Sequence, residues 1–161
     1  MIRAVLVLGW VGSLLLVAAG ALGYQASGEE ATQRHLALAL FPTGALLFAN
    51  LCVLVYLQGT RRLVRRTASE LRLPPDWAAD HARLARAGSL WAAGAATAMV
   101  LLFSSGFPVY SHFWPAWVHH GAFALTFALQ VLFLLRGGRA LRQSEARIAA
   151  FAAAVEAAGG R

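Results

Sequence analysis

Lysine is missing from this chain, cysteine occurs once, and charged residues of both signs make up only 13% of 161 positions. A lone Cys52 excludes an intramolecular disulfide and any CxxC redox or zinc motif, and it reads as a small apolar residue inside a hydrophobic run. No HExxH, P-loop or GxSxG is present, so the common hydrolase and nucleotide-binding templates fail. The charged share is about half that of ordinary soluble domains, which points to lipid rather than water as the surrounding solvent. A formal charge of +7 would suit a nucleic-acid binder. The arginines, however, border apolar runs instead of forming a stripe with interleaved aromatics, so nucleic acid is set aside as a partner. All fourteen basic residues are Arg, which together with abundant Ala, Gly and Leu reads as a compositional bias, not as chemistry.

What the chain does have is long apolar runs. Residues 36–60 carry no charge and then meet Arg61, Arg62, Arg65 and Arg66. At about 1.5 Å per residue such a run exceeds the roughly 30 Å hydrocarbon core of a bilayer, and the arginines mark its cytoplasmic end. Three further runs, 4–23, 87–109 and 113–135, complete four spans with both termini inside. The first could alternatively be a signal peptide, given Arg3 and the small residues of AAGALG; its length favours a retained helix. Trp10 reads as packing. The small residues of the first span, and Gly88/Ala92 and Gly94/Ala98 of the third, permit close helix approach.

The connections follow the same logic. Residues 24–34 read as a short outer loop, and Pro42 as a kink in the second span. Residues 60–86 form the largest soluble segment, with Pro75 opening a helix that carries His81 as an exposed or interfacial residue. Gly106, Pro108 and Pro115 make a tight outer turn flanked by Tyr110, Trp114 and Trp117 as an aromatic belt. In the tail, 139–161, Leu141, Ile148, Phe151 and Val155 recur on one helical face. That amphipathic helix lies on the membrane surface or on the underside of the bundle. The expected architecture is therefore all-α: a four-transmembrane-helix bundle over 1–138 with a cytoplasmic amphipathic tail, in a bacterial inner membrane.

Site candidates are few. Asn50, near the middle of the second span, must face protein, because an unpaired amide in hydrocarbon costs several kcal/mol in order of magnitude; it reads as interhelical packing. His35, His112, His119 and His120 fall toward the outer side. Imidazole is the commonest metal ligand and an axial ligand of haem, and facing helices of a bundle can supply two of them. The structural alternative is interfacial histidines bonded to backbone carbonyls. His119 and His120, about 100° apart on a helix, cannot both point at one partner. Ser104-Ser105 near His112 lacks an orienting acid for nucleophilic catalysis. Arg61, Arg62, Arg65 and Arg66 set topology and are candidates for lipid headgroup contact.

His35 at a helix start, Tyr56 with Gly59-Thr60 before a basic stretch, Trp117 with His120-Gly121, and the charged helical tail together resemble a group of small bacterial four-helix inner-membrane proteins over residues 35–156. The resemblance implies the architecture and brings no activity with it. In that pattern a histidine often stands six residues before the tyrosine, where this chain has Asn50. The sequence thus reads first as a non-enzymatic assembly or interaction partner in the envelope, contacting lipids and a membrane protein or a second copy. The alternative is a haem-b or metal-binding electron-transfer protein using His35 with His119 or His120.

Overall fold

The computed structural model describes residues 2–25, 28–111 and 113–159, and its elements are all helical. Helix α1 covers Ile2–Gln25, α2 Glu29–Glu70, α3 Asp76–Tyr110 and α4 Ala116–Leu132; a π turn, Phe133–Gly137, joins α4 to α5, Gly138–Gly159. Among the described residues four helical runs are long and apolar enough to cross a membrane: α1, α2, α3 and the continuous rod Ala116–Ala158. Their outer faces stay apolar. Leu14, Phe41, Val55 and Phe113 are between 69% and 81% exposed, so large apolar side chains lie on the outside of the bundle. Trp10, expected to pack, joins this outer face.

The helices run further than charge alone suggests. α2 begins at Glu29, within the expected outer loop, because the acids of its first turn suit the positive helix end and pair one turn on. Gln33 donates to Glu29 and Arg34 to Glu30. The chain enters through Gly28 at φ 89°, in the left-handed region where glycine carries no penalty. At the other end α2 continues through all four arginines to Glu70, so the expected soluble segment is mostly helix. It closes with Leu73 N–H donating to Ala68 O (2.9 Å) and Arg72 N–H to Ser69 O (3.3 Å), the double bond of a Schellman cap. Arg72 takes the left-handed position, φ 51°, and Leu73 folds back onto Ala68. Pro74 and Pro75 follow, and α3 starts one residue beyond Pro75.

The fourth rod does not break at Arg136–Arg139 either. Gly137 lies under Phe133 and Trp91, and Gly138 against Leu6, so both glycines are packing positions inside a continuing helix. Leu141 and Phe151 are buried, with Ile148 and Val155 half-buried, against α2 and α3. The tail thus lies on the bundle's own underside.

Three apolar clusters line the axis. Leu16, Leu46, Met99 and Leu102 fill one end; Ile2, Val53, Leu57, Ala92, Phe133 and Leu141 fill the middle. Ile2, the first described residue of α1, belongs to the middle cluster. Beyond it α2, α3 and α5 continue as a three-helix stalk closed by Val64, Ala68, Phe151 and Trp77. Gly12 lets α1 approach α2: a Cβ there would sit 2.7 Å from Leu46.

Buried polar groups pin the helices laterally. Asn50 faces protein as expected, and its Nδ2 donates to Gln130 Oε1 at 3.0 Å, while Thr126 donates to Ala98 O at 2.9 Å. In the stalk, Asp80 accepts from Arg147 at 2.6 Å, and the Arg147 guanidinium lies 4.4 Å from the Trp77 ring centre. His81, expected at the surface, is 1% exposed. Its Nε2 meets Thr60 Oγ at 3.1 Å. Thr60 gives its own proton to the Tyr56 and Leu57 carbonyls, so the ring must be the donor. Nδ1 then keeps a lone pair, enclosed without a partner among the described residues. Burial of that nitrogen holds the His81 pKa below the ordinary histidine value.

Candidate histidine site

The opposite end of the bundle gathers the other histidines. His35 stands in the second turn of α2, His119 closes the first turn of α4 and His120 opens its second. Both helix starts flank the last turns of α1. His35 Nδ1 lies 3.0 Å from the carbonyl oxygen of Ala19. A carbonyl can only accept, so Nδ1 carries the proton and Nε2 the lone pair. This contact needs Gly23 on α1, because a Cβ there would come within 2.5 Å of the imidazole Cε1.

His119 is fixed the same way from the other side of the bundle. Its Nδ1 lies 2.9 Å from Ser105 Oγ on α3, and Ser105 donates its proton to Leu102 O at 2.8 Å. With the serine proton on Leu102 O, the serine oxygen is an acceptor and His119 is the Nδ1–H tautomer with its lone pair on Nε2. Neither Nε2 has a hydrogen-bond partner among the described residues. His120 points elsewhere: it stacks on Tyr24 with ring centres 4.3 Å apart and planes 19° from parallel. The two adjacent histidines therefore take separate partners, as their helical spacing requires.

All three rings line one cleft of about 580 Å³ between α1, α2, α3 and α4. Its other walls are mostly apolar, including Leu36, Leu40, Leu102, Phe103 and Phe123, with Thr32, Thr43 and Tyr110 among them. A second hollow of about 460 Å³ shares His35 as a wall and carries Glu29, Glu30 and Arg34 at its rim. The cleft is in the size range of small-molecule and cofactor sites. Its donor set narrows what could be held. Among the described residues no three His, Cys, Asp or Glu converge as metal ligands. A bare ion would therefore be under-coordinated, whereas haem iron takes four nitrogens from its own macrocycle and asks the protein for one or two.

Of the residues singled out in the sequence, His35, His119 and His120 share this cleft. His112 lies outside the described residues. Asn50 lies further along the bundle with Gln130. Arg61, Arg62, Arg65 and Arg66 are at the opposite end, and Arg66 is bound to Glu70 at 2.7 Å. Sequence reasoning missed Ser105 as the partner of His119, and Gly23 as the floor under His35. Both act across helices, and no local spacing announces them. Gln130 left a visible signal, an amide in an otherwise apolar run.

No known protein family, curated protein or solved structure matches the chain. The resemblance read from His35, Tyr56 and Trp117 therefore adds no residue roles, and the site stands on its geometry.

Proposed function

We propose that the chain is a four-span inner-membrane protein that holds haem b between His35 and His119 for one-electron transfer. The observation that carries this reading is the matched pair of tautomers. Each imidazole has its Nδ1 against a protein oxygen, and both residues line one largely apolar cleft. Metal-ligating histidines are held in this way, since the second bond fixes the ring and raises its basicity. His35 is held by Ala19 of α1 and His119 by Ser105 of α3, so each ring would be oriented by a second helix before haem is bound. His120, occupied by Tyr24, serves as wall instead of ligand. Bound haem would supply the electron chemistry; the chain supplies ligands and a water-poor lining.

Membrane placement is supported by the four apolar rods and their exposed apolar faces. The start of α1 and the arginine-rich stretches of α2 and α5 lie toward one end. By the positive-inside rule that end is cytoplasmic, with both termini, and the histidine cleft sits toward the outer side. The rival reading, an envelope assembly partner, draws on the three-helix stalk, whose outer faces are free for another protein.

An absorption spectrum of protein purified in mild detergent from haem-supplied cells tests the proposal. A Soret band is expected that is lost in His35→Ala and in His119→Ala and kept in His120→Ala. A colourless preparation of normal yield would sink the haem reading and leave the assembly partner. A periplasm-active reporter fused after Gly28 should be active, and one after Ser69 silent.

A further inference from the structure

At the foot of α1 three arginines from three helices stand at one level, with more positive charge than the one acid beside them, Glu145 of α5 near Tyr56 of α2, can offset. Ile2 packs with Leu57 of α2 and Leu141 of α5, and Leu6 lies against Gly138. One turn past Leu57 on the same face of α2 is Arg61. One turn past Gly138 on α5 is Arg142, whose guanidinium reaches back to 3.9 Å from the point where a Gly138 Cβ would stand. Arg3, exposed, sits beside Ile2. By the rise of the helices, the three Cα positions differ by only about 5 Å along the axis. None of the three joins an ion pair among the described residues, and neither does Glu145, the one acid between Arg136 and Arg147.

We infer that this foot is a binding site for an anionic phospholipid, with Arg3, Arg61 and Arg142 on its phosphodiester headgroup. The flanking surface matches both halves of such a molecule. On α1, Arg3, Val7, Val11 and Leu14 follow one another at spacings of four and three, and all are exposed. A guanidinium thus stands at the base of an apolar stripe on which an acyl chain can lie. Arg61 on α2 and Arg142 on α5 stand near the level of Arg3, which is headgroup level in the placement proposed above. An acidic protein segment would satisfy the charges and leave the stripe unused.

The inference rests on the membrane placement proposed above and is independent of the histidine cleft. A colourless protein that keeps its lipid removes only the haem reading. Release of the protein by a carbonate wash of membranes removes the placement itself. The test is native mass spectrometry of the full chain in nonionic detergent, offered phosphatidylglycerol or phosphatidylethanolamine of equal acyl length. Wild type is expected to retain phosphatidylglycerol preferentially. Each guanidinium near a charged surface contributes roughly fivefold, so R3Q/R61Q/R142Q should lose on the order of a hundredfold in preference. The charge-preserving pair R61K/R142K should keep most of it, and R34Q at the far end should change nothing. Raising salt should weaken retention by wild type, a readout that needs no variant to fold. Equal retention of the two lipids, a preference insensitive to the triple change, or competition by inorganic phosphate or polyglutamate as strong as by the lipid would each overturn the site.

Discussion

His81 and His119 make the same kind of bond with opposite nitrogens. Each ring donates to a hydroxyl that is already committed to a backbone carbonyl, Thr60 in one case and Ser105 in the other. His81 uses Nε2 and turns its remaining lone pair into a sealed interior among α2, α3 and α5. His119 uses Nδ1 and lines a cleft of about 580 Å³. The stalk end is closed around Phe151 and Trp77, whereas the histidine end is left hollow. Which nitrogen is tied down, and whether space remains beyond the other, separates a packing histidine from one available to a ligand.

Three changes would sharpen that contrast. The largest effect is expected from Phe151→Ala, which removes the plug of the stalk. A buried Phe truncated to Ala costs about 3–5 kcal/mol, read as a lowered unfolding midpoint in detergent with amide exchange rising in 60–80 and 140–158. The Soret band should survive; its loss would mean the two ends are not separate units. Next comes Ser105→Ala, which leaves the His119 Nδ1–H without its acceptor. Losing the hydrogen bond that orients a ligating imidazole weakens metal binding about 10–100-fold, so haem titration should shift by that factor while the unfolding midpoint barely moves. A shift in stability without a shift in affinity would make Ser105 a packing residue only.

The smallest effect concerns pH. The folded pKa of His81 lies below its unfolded value, so the unfolded chain binds the extra proton more readily as pH falls. Its stability contribution is full above the unfolded value, about 6.5, and is lost as pH drops through the folded one. Unfolding midpoints of wild type should therefore decline with acid from about pH 7 downward. His81→Gln keeps a donor for Thr60 and removes the titration, so its slope over the same window should be flatter. An unchanged slope would place the acid sensitivity elsewhere.

Much of the fold was legible because lipid-length apolar runs and flanking arginines are written locally, residue after residue. The demand that Asn50 face protein was legible too, since an amide in hydrocarbon has few options. What escaped depended on partners far away in sequence. Charges at 61–66 and 136–142 look like the ends of spans, yet an arginine does not terminate a helix when a third helix packs beside it. His81 looked like a surface residue until α2 offered Thr60. Nothing near residue 119 points to Ser105, and the tail chose the underside of the bundle because Val64 and Ala68 wait there for Phe151. The candidate histidines could be named from sequence, but their tautomers, and hence their chemistry, could not.

The wide turn at Phe133–Gly137 acts as a swivel within one rod. An extra residue in a single turn advances everything after it by about 100° around the axis. Upstream, Thr126 and Gln130 look inward; downstream, Leu141, Ser144 and Phe151 do, and the rod keeps α3 beside it on both sides of the turn while Phe151 joins Val64 and Ala68 of α2 below it. An insertion or deletion of one amino acid there would act like turning a key half out of its lock, setting the imidazole end and the guanidinium end out of step while altering no side chain in either.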